Sequence, residues 1–269
     1  MMRARGAALL LVLWLVTLLA ALVGTYALAA RTEHLQGQVL ARGLEARAAA
    51  RAGLEYAIVR AGLPGQLRWS ADGSEHPWQF GAAEVSVRIV DEQGKVDLNM
   101  ADAGLVSALL QQVGVDDRTA MQLAGAILDW RDADPLTQPA GGAEEPEYRQ
   151  AGRGYGPANE PLRSVAEVEQ VLGMTPALYA RLAPLVTVYS GLALPDPAYA
   201  PPQVRAAMGM GGGDQPPLVA GNSGTYSIES RASIRGRTAV LRVVVRSGGN
   251  GLPGSAWTPL RWEEGASPR

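Results

Sequence analysis

The pattern of apolar and polar positions begins with a long uncharged segment near the N-terminus. Residues 7–30 carry no formal charge, with Arg3 and Arg5 before them and Arg31 after them. A helix rises ~1.5 Å per residue, so this segment can span the ~30 Å hydrocarbon core of a bilayer. The leading arginines favour a cytoplasmic start, which places the chain after residue 30 on the opposite side of the membrane.

Two simpler interpretations of this segment remain open on spacing alone. Ala27, Leu28 and Ala29 form the A-x-A pattern of a secretory signal, although the apolar run is longer than the ~7–15 residues usual in one. The second interpretation is an uncleaved membrane anchor.

Helical character continues beyond the apolar segment. Residues 31–61 contain no proline, and small or apolar side chains recur every three to five positions, which predicts a helical stripe. Residues 7–61 are expected to form one helix ~80 Å long, bent or locally melted at its glycines because each costs ~1 kcal/mol relative to alanine. We assign the stripe to partner binding, and its members are Leu35, Val39, Leu44, Ala48, Ala52, Tyr56 and Val59.

Three later segments alternate between apolar and polar residues, as half-buried strands do. They are Glu84–Val90, Thr225–Ser233 and Thr238–Arg246, and the last two flank a candidate turn at Arg235–Arg237. Together they predict one antiparallel sheet packed on the second half of the long helix. Trp257–Trp262 is expected to add an edge strand or to pack as two exposed aromatic residues.

Between the first strand and the hairpin, the period changes to that of short helices. Helices are predicted at 103–112, 117–131, 165–172 and 176–186. The third begins at the capping box Ser164-x-x-Glu167, and the fourth has Thr175 at its N-cap. Four helices in about ninety residues predict a small helical domain over 97–190.

Two regions are predicted to lack regular structure. The polar stretch 65–77 interrupts the pattern before the first strand. Residues 191–224 contain six prolines and seven glycines, which is typical of a linker or a disordered loop. The predicted order is a leader (1–6), the membrane half of the helix (7–30), its water-exposed half (31–63), the first part of the sheet (64–96), the helical insertion (97–190), the linker (191–224), and the second part of the sheet with a flexible tail (225–269).

Composition excludes several classes of function. The 269 residues include 26 acidic and 24 basic side chains, a net charge of -2, which gives no overall attraction to nucleic acid. No cysteine is present, so disulfides, thiolate zinc sites and cysteine nucleophiles are excluded. Ser164 and Ser190 have no histidine near them in the sequence, and His34 and His76 lie far apart. We therefore expect no catalytic residues and no enzyme.

One local charge imbalance stands out. Residues 129–161 hold seven acids against three arginines. A loop of this length inside a helical domain needs something to order it, and oxygen ligands suit calcium. The alternative is a solvated acidic loop paired with Arg149 or Arg153.

The N-terminus resembles the class III signal of type IV pilins and type II secretion pseudopilins. Its basic leader ends at Gly6 and leads directly into the long apolar helix. The resemblance implies cleavage between Gly6 and Ala7 and methylation of the new amino terminus. Most family members carry glutamate as the fifth mature residue, where this chain has Leu11, and this departure resembles the minor pseudopilin K of the type II secretion pathway.

Passages in the helical region strengthen the resemblance to pseudopilin K. They read GKVDLNMADAGLVSALLQQVGV, AILDWRDAD and PLRSVAEVEQVLGMTPALYARLAPLVTVYSG, and with the leader the resemblance covers roughly residues 1–191. It implies an α+β fold, in which the long helix packs on a small antiparallel pilin-like sheet and a SAM-like, helix-hairpin-helix domain is inserted in that sheet. It also implies calcium in the insertion, with matching positions at Asp132, Asp134, Glu144, Glu145 and, more weakly, Asn159.

The implied function is assembly. A pseudopilin of this kind sits at the tip of a periplasmic pseudopilus, is anchored in the inner membrane, and takes part in export across the outer membrane. Its implied partners are the minor pseudopilins I and J, the prepilin peptidase and inner membrane lipid, without nucleic acid. The alternative is a membrane-anchored DNA receptor that uses the hairpin at 172–176, although Pro176 has no amide to donate to phosphate.

Overall fold

The computed structural model describes residues 4–211, 223–248 and 256–265. Within them lie one long helix, a five-stranded sheet and a group of short helices. The helices are α1 (Ala4–Gly62), α2 (Ala103–Gln112), α3 (Asp117–Arg131), α4 (Glu145–Gln150), α5 (Pro176–Leu182) and α6 (Pro202–Ala207). The strands are β1 (Asp72–Phe80), β2 (Ala83–Asp91), β3 (Val96–Asp97), β4 (Val186–Thr187), β5 (Thr225–Ile234), β6 (Arg237–Ser247) and β7 (Trp257–Gly265).

Helix α1 confirms the predicted long N-terminal helix and has the length and apolar composition to cross a membrane. It is assigned as one uninterrupted helix of 59 residues, so the bending or melting expected at its glycines is not seen as a break. Large apolar side chains from Leu9 to Leu28 are exposed along its first half. Among the described residues, only those in the second half of α1 are buried against the rest of the chain.

The sheet is antiparallel, with strand order β1-β2-β5-β6-β7, and with α1 it confirms the α+β class. The strand predicted at Glu84–Val90 is β2, and Trp257–Trp262 lies in edge strand β7. The prediction that 65–77 is irregular was wrong for its second half, because β1 begins at Asp72 and pairs with β2. The polar β1 sequence does not alternate between apolar and polar residues, so its strand conformation depends on backbone hydrogen bonds to β2.

The predicted β5–β6 hairpin is confirmed. Arg235 and Gly236 both have positive φ values, 47° and 75°, as a two-residue turn of type I′ requires. Glycine adopts this conformation without strain, so Gly236 explains why the turn lies between these strands.

A row of alternating charges crosses the exposed face of the sheet. Glu75, Arg88, Glu229, Arg242 and Glu263 are direct neighbours on β1, β2, β5, β6 and β7 in turn. Two of the contacts are ion pairs, Arg88 with Glu75 and, at 2.7 Å, Arg242 with Glu229. Opposite charges placed directly across from each other favour this register over a slipped one.

The sheet-facing side of α1 is made of small residues. Ala46, Ala49, Ala50 and Ala57 are buried there with Leu54. A Cβ atom on Gly53, which lies among them, would collide with Ser230 Oγ and lie 2.7 Å from Val85 Cγ1. The helix backbone therefore lies directly against the strands.

The helical region between β2 and β5 has its own core. The predictions for 103–112 and 117–131 match α2 and α3. Residues 165–170 form a 3₁₀ helix, and the helix predicted at 176–186 is shorter, because α5 ends at Leu182 and Val186 already pairs in β4. Short strands β3 and β4 pair in parallel, so they hold the entry and exit of this region together.

Part of the predicted linker is folded. Residues 202–207 form α6, and Ala200 and Val204 are buried in the core of the helical region. The prediction of an irregular linker was therefore wrong for 202–207, which pack against α2, whereas 191–201 and 208–211 contain no helix or strand. Residues 212–222 of the predicted linker lie outside the described residues.

We predict opposite effects for two glycine substitutions in α1. Gly53→Ala should lower the free energy of unfolding by about 1–3 kcal/mol, because the added methyl group has no space against the sheet. Gly43→Ala meets nothing within 4 Å and should raise it by up to about 1 kcal/mol through helix propensity alone. Urea unfolding of the full chain in detergent measures both, and equal effects would contradict the close packing.

Candidate cation site and partner-facing helix

Asp129 anchors the acidic loop to α3. Its side chain is fully buried in the last turns of that helix. One carboxylate oxygen accepts the Ala143 N–H at 2.8 Å, and the other accepts the Gln138 N–H at 3.2 Å. The sequence between residues 138 and 143 is therefore held against the helix by a single carboxylate.

Two glycines allow the loop to lie this close to α3. A Cβ atom on Gly125 would collide with the Gly141 carbonyl oxygen, and one on Gly142 would collide with the Asp129 carboxylate. Gly141 also has a φ of 105°, a conformation that side chains disfavour. The glycine content of this segment thus has a packing cause.

Three carboxylates converge where the loop meets the helix. Oxygen atoms of Asp129, Asp132 and Glu144 lie within 4.8 Å of one another. Glu144 is buried, and both its Oε1 and Asp132 Oδ1 are buried without a hydrogen-bond partner. Unpaired buried carboxylate oxygens are costly, so a cation at this point would satisfy both.

The proximity of these groups changes their titration. Loss of solvent raises the pKa of Glu144 to about 7, and the charges of Asp129, Asp132, Asp134 and Glu147 act in the same direction. Burial is also the main cause that raises the pKa of Asp129 and that of Asp132. Each carboxylate makes its neighbours harder to ionise.

The five predicted ligands are divided by the structure. Asp132 and Glu144 are in the cluster, and Asp134 is near enough to raise the pKa of both. Glu145 is exposed and pairs with Arg149 at 2.6 Å. Asn159 is exposed at a positive φ of 52°, and its N–H donates to the Trp130 carbonyl oxygen at 2.9 Å.

Asp129 was missing from the predicted ligand set. It belongs to the acidic segment 129–161 and also to the predicted helix 117–131, and nothing in the sequence marks it as the carboxylate that faces the loop. The loop is also more ordered than its sequence indicates. Tyr148 of α4 is fully buried, and its hydroxyl accepts the Leu172 N–H at 2.9 Å.

Most of the predicted partner stripe is uncovered. Leu35, Val39, Leu44 and Val59 are exposed, and so is Ala48, whereas Ala52 and Tyr56 are half-buried. Tyr56 stacks on Trp78 of β1, with ring centroids 4.6 Å apart, so only the exposed members are distinct from the alanine face that packs on the strands. Gly6 and Ala7, the predicted processing residues, lie in the first turns of α1.

The residues considered for catalysis occupy unrelated positions. His34 is exposed on α1 and contacts Gln38, while His76 stacks on Trp69 with ring centroids 4.7 Å apart. Ser190 Oγ donates to Asp97, and Ser164 begins the 3₁₀ helix at 165–170.

Comparison with known proteins matches residues 87–191 to the family model described as type II secretion system (T2SS), protein K. Curated proteins named type II secretion system protein K match over a longer range. The one from Klebsiella pneumoniae is 31% identical over 212 residues, or 68% of this chain and 62% of that protein. The one from Pectobacterium carotovorum subsp. carotovorum is 29% identical over 213 residues, with the same coverage of 68% and 62%.

Residues 87–191 belong to the type II secretion system protein K family. The whole chain spans about three fifths of the length of the protein K relatives from these two organisms. A solved structure shares the fold: a chain of the GspK-GspI-GspJ complex from the type 2 secretion system of enterotoxigenic Escherichia coli. The TM-score is 0.54 at 17% identity, with 88% of this chain and 99% of that chain covered.

The protein K match contains the whole carboxylate cluster. Asp129, Asp132 and Glu144 all lie within residues 87–191. The stripe on α1 lies outside that range, so the two candidate sites belong to different parts of the chain.

We predict that the stability of this chain falls with rising pH when divalent cations are removed. The folded state holds a proton on Glu144 up to a pKa of about 7, whereas the unfolded chain releases it near the ordinary value of 4.5. The stabilisation is therefore complete below about pH 4.5 and is lost as the pH rises to about 7. Thermal unfolding in a chelator, followed across this range, measures the slope.

Glu144→Gln should flatten that slope and raise the melting temperature near pH 7. The matched control is Glu145→Gln, which changes an exposed carboxylate and should leave the slope as it is. An equal slope in the two variants would contradict the role of Glu144. Asp129 and Asp132 keep part of the pH dependence in both variants, so the slope in Glu144→Gln should be smaller but not zero.

Proposed function

We propose that this chain is a minor pseudopilin at the tip of the type II secretion pseudopilus, where it takes part in pseudopilus assembly and in protein export across the outer membrane. The observation that carries the proposal is the protein K match over 87–191, in a chain whose long apolar helix is exposed along half of its length. Its role is assembly rather than catalysis.

A tip position follows from the shape of the subunit. Filament subunits stack through their N-terminal helices, and each needs its upper surface free for the next. Here a helical region with its own core is inserted between β2 and β5. Such a bulky insertion fits a subunit at the end of the filament, because no further subunit has to be placed on top of it.

The proposed partners are the minor pseudopilins I and J of the same system. A chain of the GspK-GspI-GspJ complex shares this fold, which supports a comparable assembly. We assign the contact to the exposed stripe from Leu35 to Val59, since apolar side chains on a helix that the sheet leaves uncovered are suited to another helix. The first half of α1 would lie in inner membrane lipid, with the bulk of the chain in the periplasm.

We also propose that the carboxylate cluster binds calcium. Asp129, Asp132 and Glu144 supply oxygen ligands only, which calcium prefers over zinc, and two of their oxygens are buried without a partner. Asp134 is the next candidate. A bound divalent cation would supply positive charge that offsets the mutual repulsion, and the three residues would then link α3, the loop and α4.

The insertion is proposed as a SAM-like, helix-hairpin-helix domain, with its hairpin between the 3₁₀ helix at 165–170 and α5. The contacts of that hairpin disfavour the DNA-receptor alternative. The Leu172 N–H donates to Tyr148, and the Leu178 N–H donates to Thr175 Oγ1. The Met174 N–H donates to the Val171 carbonyl oxygen at 3.0 Å, and Pro176 has no N–H. The amides of Leu172 and Met174 are therefore occupied, and residue 176 offers none to phosphate.

Calcium is predicted to raise the melting temperature of the purified chain. At a concentration ~100-fold above the Kd, binding to the folded state alone stabilises by about 2.7 kcal/mol, or on the order of 5–10 °C. Asp129→Asn and Glu144→Gln should abolish the shift, and Glu145→Gln should retain it. Loss of the shift in Glu145→Gln together with its retention in Glu144→Gln would relocate the site.

Processing at Gly6 is predicted to depend on that glycine. Gly6→Val should leave the leader attached, whereas Gly24→Val, the same change inside the apolar segment, should be processed as the wild type. Mass spectrometry of the mature N-terminus distinguishes methylated Ala7 from Met1 and from a signal-type cut near residue 30. Normal cleavage of Gly6→Val would contradict the pseudopilin proposal.

A further inference from the structure

A groove runs beside α1 at the level where that helix first meets the sheet. It has a volume of about 660 Å³ and lies between residues 43–51 of α1, the start of β6 and the end of β7. Its floor is apolar, with Leu44 and Ala48 on one side and Ala239 on the other. Ala50 of the sheet-facing alanine surface also lines it, so the groove adjoins that surface.

The rim of the groove is basic. Arg47, Arg51 and Arg237 line it with a single carboxylate, Glu264. That carboxylate accepts a hydrogen bond from Trp262 Nε1 at 3.1 Å, and the Arg51 guanidinium lies 5.7 Å from the centroid of the same tryptophan ring.

The nearby acids are engaged elsewhere. Glu45 lies 3.9 Å from Arg235 at the hairpin turn, and Glu55 accepts from Trp257 at 3.3 Å. Within the part of the chain that the structure describes, neither Arg47 nor Arg237 forms an ion pair. The groove therefore presents an apolar floor between cationic edges, and its complement is an apolar segment flanked by carboxylates.

The position of the groove along α1 indicates which part of a neighbouring molecule could reach it. Residue 47 lies 17 positions beyond the end of the apolar segment, or about 25 Å along a helix. Between the apolar segment and the groove, the side chains of Leu35, Val39 and Leu40 on α1 are exposed. A second helix that leaves the same membrane next to α1 would contact these residues first and then Leu44 and Ala48 in the groove.

We propose that this groove receives the N-terminal helix of a neighbouring subunit, and that the neighbour faces Arg47 and Arg237 with carboxylates about 12–20 residues beyond its own membrane segment. This inference rests on the proposed function, which supplies the neighbours, and it adds the flank of α1 that they use and the charge they carry. Complementary charges of this kind set register and steer association more than they add affinity.

The absence of cysteine from the chain permits a direct test by cross-linking. Ala48→Cys places one thiol on the groove floor, and Leu136→Cys, on an exposed residue of the acidic loop, is the matched control. Each is co-expressed as the full chain with the I and J pseudopilins of the same secretion system, in which single cysteines are introduced one at a time beyond the membrane segment. We expect a disulfide with Ala48→Cys at positions next to a carboxylate and none with Leu136→Cys.

Charge reversal tests the chemistry of the rim. Arg47→Glu/Arg237→Glu should raise the Kd of the complex at least tenfold and remove its salt dependence, whereas Arg118→Glu/Arg181→Glu, an equal change of charge in the helical region, should do neither. Arginine at the cross-linked acidic position of the neighbour should restore binding to the reversed variant. Circular dichroism and thermal unfolding identify any variant that fails to fold.

Three results would overturn the inference while leaving the proposed function intact: an unchanged Kd for the groove variant, a cross-link confined to two copies of Ala48→Cys, or cross-links to neighbour positions without acidic residues nearby. If the wild-type chain forms no complex with I and J, the proposed function itself fails.

Discussion

The close contact between α1 and the sheet is the constraint on which the rest of the structure depends. Gly53 lies against Ser230 and Val85 with no space for a side chain, and the contact leaves Ser230 Oγ buried without a hydrogen-bond partner. Burial of this hydroxyl without a partner costs free energy, but the same contact brings the helix backbone against the strands. Since small residues fill the inner face, the larger apolar residues of α1 are left on the outside, where another helix can use them.

The same division explains what the periodicity could and could not predict. Large apolar residues such as Leu35 and Leu44 define the visible stripe, but alanines such as Ala49 and Ala57 carry the packing. Alanine gives a weak signal in any apolar pattern, so the sheet-facing side could not be separated from the partner-facing side by sequence. Strand β1 was missed for a related reason: its residues are mostly polar and include Pro77, and only the pairing with β2 makes it a strand.

The carboxylate cluster was predictable in kind but not in detail. Composition pointed to oxygen ligands in the acidic loop, and Asp132 and Glu144 do come together. The choice among the remaining acids depended on contacts distant in sequence, because Asp129 fixes the loop through the amides of Gln138 and Ala143. Glu145 is adjacent to Glu144, yet it is the first residue of α4 and points to Arg149 instead. A shift of one residue at a helix start redirects the side chain.

The helical region and the sheet have separate cores, and polar contacts join them. In one of these contacts, Glu92 is buried between Lys95, at 2.5 Å, and the hydroxyls of Thr187 and Ser227. Glu92 and Lys95 follow β2, Thr187 lies in β4 and Ser227 lies in β5, and Lys95 is the chain's single lysine. A buried ion pair contributes little net stability, because desolvation offsets the attraction. Its hydrogen bonds, however, are satisfied together in one arrangement only, whereas an apolar contact would tolerate rotation. The cluster thus contributes to fixing the orientation of the insertion relative to the sheet, and through the sheet relative to α1.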